Sequence, residues 1–159
     1  MTSEFKEKSA RVGILAIATG GFVGFFPVAP GTMGSALAMG YVWLNRGSSF
    51  AFDLIFLIAL LVLGVWASDR AGKILNKPDA SPLVIDEIVG ILITMLGIPV
   101  TPFTVFWGFL WFRFFDIFKL PPANIADSRV KGGLGVMLDD VVAGVYANIL
   151  LHLMLRAQF

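Results

Sequence analysis

The sequence predicts an all-α, polytopic integral membrane protein, a single domain over residues 1–159 with five or six membrane segments. Hydrophobic residues make up 57% of the chain and charged residues 14%, and the mean hydropathy is +0.84. This balance is too apolar for a soluble globular domain. The charges fall in short clusters between apolar runs, and no alternating strand pattern competes with the helices.

The first apolar run, residues 12–26, is short and contains four glycines. A spanning helix needs about 20 apolar residues, so this run is expected to be half-inserted, re-entrant or interfacial, with a full span as the alternative.

The next segment, P-V-A-P-G-T-M-G-S at residues 27–35, separates this run from a helix that is predicted to begin with Thr32 as its N-cap and to end near Leu44. Gly31 and Gly34 leave backbone N–H groups open at this helix start, which is an arrangement that binds anions. The alternative is an ordinary helix–turn–helix whose small residues allow close packing.

Residues 50–67 form the clearest spanning run, and Ser68-Asp69-Arg70 is expected to end it. A polar connection follows, with Lys73, Lys77 and the turn formers Pro78-Asp79. The remaining helices are predicted over residues 84–98, 103–118 and 136–155.

These last three helices are joined by short connections, so they should alternate in direction. Asp86 and Glu87 then start the first, the end of the second carries Arg113, Asp116 and Lys119, and Asp139 and Asp140 open the third. All three clusters are therefore expected at the same membrane face. Gly90 lies on the face of Asp86, and Gly144 and Asn148 lie on the face of Asp140, so backbones should approach closely near the acids.

The same face receives the basic residues of two loops, whereas the opposite face has only Arg46 and Arg156. The positive-inside rule makes the charged face cytoplasmic. The loop residues are Arg70, Lys73, Lys77, Arg129 and Lys131.

Two adjacent carboxylates, Asp86 and Glu87, head an otherwise apolar helix. Charges beside such a run need a partner, a metal or a wet cavity, but acids in a first turn can also simply favour the helix dipole. Neighbouring residues lie about 100° apart around a helix. We therefore expect one acid of each adjacent pair, Asp86/Glu87 and Asp139/Asp140, to contact a metal directly, and the other to serve as a base, as a second ligand or as a support behind the ligands.

Several carboxylates, no cysteine and a single histidine, His152, favour a hard oxygen site for Mg²⁺ or Mn²⁺. Arg113 and Lys119 add positive charge that suits a phosphoryl group. The alternative is a charge-paired helix junction in which Arg113 and Asp116 form a structural salt bridge. Without cysteine no cysteine-dependent phosphatase loop is possible, and the D-x-D phosphoaspartyl motif is absent.

Four stretches resemble the phosphatidylglycerophosphatase A family in order and spacing: P-V-A-P-G-T-M-G-S, V-I-D-E-I-V-G, F-R-F-F-D-I-F-K and G-G-L-G-V-M-L-D-D-V-V-A-G. The resemblance implies a Mg²⁺-dependent phosphatase in the bacterial inner membrane that faces the cytoplasm. Its substrate would be the lipid phosphatidylglycerophosphate, hydrolysed to phosphatidylglycerol and phosphate in phospholipid biosynthesis. No nucleic-acid partner is expected, and the oligomeric state is left open.

The resemblance assigns metal binding to Asp86, Glu87, Asp139 and Asp140, and the R-x-x-D stretch to Arg113 and Asp116. Phosphate contacts are expected from Gly31, Thr32, Gly34, Ser35, Arg113 and Lys119. One departure is visible, because Lys119 is followed by Leu120 where the family tends to have proline. A different class of function, a small ion- or proton-coupled transporter that uses intramembrane carboxylates, is the alternative.

Overall fold

Six α-helices and one short 3₁₀ helix make up the described part of the chain, which is residues 3–77, 80–121, 130 and 132–157 of a computed structural model; these residues contain no strand. The all-α prediction is confirmed. The helices are α1 Ser3–Ala18, the 3₁₀ helix Val23–Phe25, α2 Pro30–Leu44, α3 Phe50–Ile74, α4 Ile85–Met95, α5 Pro102–Phe118 and α6 Gly133–Ala157.

Two helices, α3 and α6, are long and apolar enough to cross a membrane by length and composition. They support a membrane protein, and the count of five or six segments stays a prediction. The predicted turn at Pro78-Asp79 and the basic residues Arg129 and Lys131 lie outside the described residues.

Helix α4 is the centre of the bundle, with α2, α3, α5 and α6 packed around it. Every residue of α4 is buried or half-buried, as is typical of a core helix. Val89 and Ile91 are fully buried, and so is Phe112 of α5, which packs against the same core. The predicted helices over 84–98 and 103–118 are therefore confirmed within a few residues.

Helices α4 and α6 touch through their backbones at two glycines. A Cβ on Gly90 would lie 3.0 Å from Asp140 O and collide with the ring of Phe112, and a Cβ on Gly144 would lie 2.5 Å from Gly90 O. Only glycine permits this distance, so the predicted close approach beside the acids is confirmed.

The predicted N-cap at Thr32 is wrong, because α2 begins at Pro30 and its N-cap is Ala29. Proline is pre-organised for the first helical position, so the helix starts before the hydroxyl residue. Ala29 adopts the left-handed conformation at φ 48°, and no side chain caps the helix. The N-cap residue therefore offers no side-chain acceptor to the first N–H groups of α2.

The predicted end of α3 at Ser68-Asp69-Arg70 is also wrong, since the helix continues to Ile74. The ion pair between Lys73 and Asp69, 2.6 Å apart at i and i+4, and the packing of Ala67 and Ala71 against Ala18 support these extra turns.

The acids Asp139 and Asp140 do not open α6, which begins at Gly133 and carries them about two turns further along. A Cβ on Gly133 would collide with Val65 O of α3. This close approach to α3 starts the helix earlier than the acidic residues suggest.

Residues 12–26 do not form one element, because α1 ends at Ala18 and the chain turns through Gly20 and Gly21, both at positive φ. Ala18 O accepts a hydrogen bond of 3.0 Å from Val84 N, at the start of α4. The start of α2 lies there as well, so the chain from Ala18 to Pro30 stays at one end of the bundle.

Candidate active site

The predicted convergence of charges is confirmed, since the starts of α2 and α4, the end of α5 and the first turns of α6 meet at one end of the bundle. Asp86, Glu87 and Asp140 each offer a carboxylate oxygen, and the three oxygens lie within 4.8 Å of one another. Asp86 is 9% exposed and Asp140 is 3% exposed. Carboxylates this close repel one another strongly unless a cation or a proton lies between them.

Two oxygens of this carboxylate cluster have no hydrogen-bond partner: Asp86 Oδ1 and Glu87 Oε2 are buried and unsatisfied. A buried polar atom without a partner costs about 1–3 kcal/mol, and more when it is charged. A surface cap on the helix dipole needs no such burial. The cluster is therefore better explained as a site that receives a ligand than as a helix cap.

The two adjacent acid pairs behave differently. Asp140 joins the cluster while Asp139 faces Lys119, with 2.7 Å between Asp139 Oδ2 and Lys119 Nζ. Asp86 and Glu87, in contrast, both reach the cluster, because the longer glutamate side chain spans the angle between the two positions. Which acid of each pair contacts a metal stays a prediction.

Arg113 brings a positive charge to the cluster. Its Nη1 atom lies 2.6 Å from Asp116 Oδ2 and 4.0 Å from Glu87 Oε1. Arg113 Nε is buried without a hydrogen-bond partner. A purely structural salt bridge would use this donor, so Arg113 retains capacity to bind an anion beside the carboxylates.

The start of α2 lies against the same cluster. A Cβ on Gly31 would collide with Glu87 Oε1 and lie 3.2 Å from Arg113 Nη1. Gly34 packs on Val84 instead, and the hydroxyl of the fully buried Ser35 donates to Gly31 O at 2.8 Å. Of the predicted phosphate contacts, the backbone at Gly31 and Thr32 is therefore near the cluster, whereas the Ser35 hydroxyl is used within the helix.

The sequence did not predict the environments of two polar residues, Asn148 on α6 and Ser68 on α3. Asn148 donates from Nδ2 to Thr94 O and Leu96 O, 3.0 Å each, and so satisfies the end of α4. Ser68 is fully buried and its hydroxyl has no partner. A polar residue interrupting an apolar helix is the pattern that would have identified both. His152 contacts Asn148 O about three turns beyond Asp140, away from the cluster.

The sequence profile of the family described as phosphatidylglycerophosphatase A matches residues 16–155. The chain is 32% identical over 140 residues to "Phosphatidylglycerophosphatase A" of Escherichia coli strain K12, covering 87% of this chain and 80% of that protein. It is 33% identical over 141 residues to the protein of the same name in Haemophilus influenzae, covering 87% and 85%.

A third relative carries a different name. The "Putative phosphatidylinositol-3-phosphatase" of Bacteroides thetaiotaomicron is 39% identical over 145 residues, covering 85% of this chain and 89% of that protein. No solved structure matches the chain. The three names describe phosphatases, so these comparisons give no support to an ion- or proton-coupled transporter.

Proposed function

The chain belongs to the phosphatidylglycerophosphatase A family of phosphatases, and we propose that it hydrolyses phosphatidylglycerophosphate to phosphatidylglycerol and inorganic phosphate in phospholipid biosynthesis. The observation that supports this most directly is the buried cluster of Asp86, Glu87 and Asp140 beside Arg113. In such a site the carboxylates would bind a cation, and the adjacent arginine would bind a phosphate.

We propose that the cation is Mg²⁺, held by Asp86, Glu87 and Asp140. The donors are all carboxylate oxygens, the ligand type that this ion prefers, and two of their oxygens have no hydrogen-bond partner among the described residues. When bound, Mg²⁺ offsets the charge of the phosphoryl group and lowers the pKa of a coordinated water. Asp139 is outside the proposed ligand set because it faces Lys119.

The protein groups have separate roles in this proposal. Arg113 and the first N–H groups of α2, at Gly31 and Thr32, bind the phosphate oxygens. Asp116 holds the guanidinium of Arg113 in place. A Glu87 carboxylate oxygen that does not hold the cation accepts the proton of the attacking water, the water oxygen bonds to phosphorus, the ester P–O bond breaks, and the departing glycerol oxygen takes a proton from solvent.

The proposed location is the bacterial inner membrane, with the cluster facing the cytoplasm. A Cβ on Gly64 would lie 3.2 Å from Ile85, so Asp86 sits near the level where the apolar run of α3 ends. Arg70, Lys73 and Lys77 follow that run at the same end. A carboxylate cluster at this level would meet the headgroup of a lipid in the inner leaflet.

The test is phosphate release from phosphatidylglycerophosphate by the purified protein, with Mg²⁺ and with excess EDTA. We expect release only with Mg²⁺, and we expect Asp86→Asn to abolish it while the protein still inserts and folds. Asp53→Asn is the matched control, because Asp53 lies in the first turn of α3 at the other end of the bundle and bonds to Ser48. Equal release with and without the metal would disprove the Mg²⁺ proposal.

The Bacteroides relative, at 39% identity, favours a second candidate substrate, phosphatidylinositol 3-phosphate. The same site would perform the same hydrolysis on a different headgroup. A direct comparison of kcat/KM for the two lipids in identical micelles decides between them, and the higher value identifies the substrate.

A further inference from the structure

The loop between α1 and α2 exposes four large apolar side chains, Phe22, Phe25, Phe26 and Val28, which we call the aromatic loop. They are 48%, 48%, 50% and 69% exposed. Contiguous exposed apolar side chains at one place on a protein mark an interaction surface. This one lies beside the carboxylate cluster, because the loop ends where α2 begins.

Hydrogen bonds and close packing hold the aromatic loop in its conformation. Phe22 N donates a hydrogen bond to Thr19 Oγ1 at 3.1 Å, and Gly24 N donates to Thr19 O at 2.9 Å. Gly24 packs so closely on Pro82 that a Cβ would collide with Pro82 O. Phe22 is also held in the left-handed conformation, at φ 71°, which is unusual for a bulky residue. The fold thus maintains the exposure of these side chains.

The aromatic loop lies at the level where the apolar surface of α3 ends. Exposed apolar residues follow one another along α3 as far as Trp66, which is 44% exposed, and Asp69 and Arg70 come next. Aromatic residues in that position are typical of the boundary between acyl chains and headgroups. Ala67, next to Trp66, shares a buried cluster with Ala18, which immediately precedes the loop region.

Helix α1 and the last turns of α3, which lead to and flank the loop, carry more exposed basic residues than acids. The basic residues are Lys6, Lys8 and Arg11 on α1 and Arg70 and Lys73 on α3, and the acids in the same stretches are Glu4, Glu7 and Asp69. Basic side chains beside an apolar insertion are attracted to anionic lipid headgroups. The charge around the loop is therefore complementary to the surface of an anionic leaflet.

We propose that the aromatic loop inserts into the acyl boundary of the leaflet that faces the carboxylate cluster, with its basic surroundings on anionic headgroups. The loop then fixes the depth of the cluster relative to the lipid phosphates, because Ala18 before it is hydrogen-bonded to Val84 N of α4 and Gly31 after it packs closely against Glu87. The occupant of this surface is the bilayer. The inference rests on the membrane location proposed above and is independent of the reaction.

The absence of cysteine from the chain allows a direct test with single introduced cysteines. Phe25→Cys carries a nitroxide spin label in vesicles of phosphatidylethanolamine and phosphatidylglycerol at 3:1. Val62→Cys, 66% exposed within α3, is the deep control, and Lys77→Cys is the aqueous control. We expect the Phe25 label to be accessible to oxygen and protected from a water-soluble nickel chelate, at a depth shallower than the Val62 label.

Two outcomes overturn the proposal. Access of the nickel chelate to the Phe25 label equal to that at Lys77 would place the loop in water. Protection from both reagents together with dipolar broadening between labels would mean that a second copy of the chain covers it. Neither outcome depends on catalysis, so failure of this inference and failure of the proposed function are distinguishable.

A second variant links the loop to the site. In Phe25→Asp/Phe26→Asp we expect KM for a long-chain lipid phosphate in those vesicles to rise about tenfold, because inserting charge opposes insertion. Hydrolysis of a short-chain, water-soluble analogue should be unchanged. An equal loss on both substrates, or no loss on either, would contradict a role in setting depth.

Discussion

The two ends of the α4–α6 pair are built from the same helices but differ in whether their polar groups are hydrogen-bonded. At the far end, where α4 ends, Thr94 Oγ1 donates to Gly90 O at 2.8 Å, and Asn148 donates to two carbonyls. The near end is the one that carries the carboxylate cluster. At the near end, oxygens of Asp86 and Glu87 are buried without partners. Among the described residues, the polar groups of one end are paired, whereas the other end retains unpaired carboxylate oxygens.

The difference separates stability from function within a single helix pair. A satisfied amide such as Asn148 holds the helices together, whereas repelling carboxylates at the other end oppose folding. The glycine contact between Gly90 and Gly144 lies between them and fixes their relative position. The comparison predicts that substitutions at the near end reduce activity and those at the far end reduce stability.

The largest effect is expected for Asp140→Asn, which removes one charge of the cluster. Phosphate release should fall by about 10³-fold or more, equivalent to about 4 kcal/mol in the activation barrier. The temperature of unfolding in detergent should stay equal or rise, because a buried like charge is lost. A drop in both activity and unfolding temperature would break the separation between the two ends.

Next comes Asn148→Ala, which leaves Thr94 O and Leu96 O without their donor. The free energy of unfolding should fall by about 2 kcal/mol, since two partly buried carbonyls lose their partner. Activity per folded molecule should remain within about threefold of wild type. Chemical denaturation measures the first, and phosphate release from the folded fraction measures the second. Leu153→Ala, at a position 55% exposed on the same helix, is the control and should change neither.

A smaller effect is expected for Gly31→Ala, which pushes a methyl group against Glu87 Oε1. The glutamate side chain can move aside, so folding should be little affected while kcat falls about tenfold. Gly40→Ala on the same helix is the matched control, because nothing lies within 4 Å of its Cβ. If both substitutions leave turnover unchanged, the position of Glu87 is not important for the reaction.

The smallest effect is expected for Lys119→Gln, which removes the ion pair with Asp139. The lysine side chain is 36% exposed, so solvent screens much of the interaction. We expect kcat/KM to fall by about threefold at low salt and by less at high salt. A loss as large as that of Asp140→Asn would instead place Lys119 in direct contact with the substrate.

Local sequence rules predicted the helices whose ends carry capping residues, glycine or proline. Helix α5 begins with the capping box of Thr101 and Thr104 around Pro102, and α4 ends before Gly97 and Pro99. The alternation of these short-linked helices was enough to place Asp86, Arg113 and Asp140 together. The site residues themselves, as ligands of a metal or a phosphate, remain predictions.

Features that depend on tertiary contact were not predictable in this way. The early start of α6 follows from the contact of Gly133 with α3, and the extension of α3 follows from the packing of Ala71. The contribution of both Asp86 and Glu87 to one cluster depends on side-chain length and on the position of α6, which helical angles alone do not describe. Such contacts join residues that are distant in the chain.

The backbone contact between Gly90 and Gly144 has a consequence for the discrimination between cations. It brings the main chains that carry Asp86 and Asp140 close together, so the two short side chains can separate their oxygens only over a limited range. Calcium requires oxygen distances of about 2.3–2.6 Å and six to eight ligands, whereas magnesium accepts about 2.0–2.1 Å with few protein ligands and retained waters. If the cluster binds a cation as proposed, this limited range and the small number of carboxylates would favour the smaller ion.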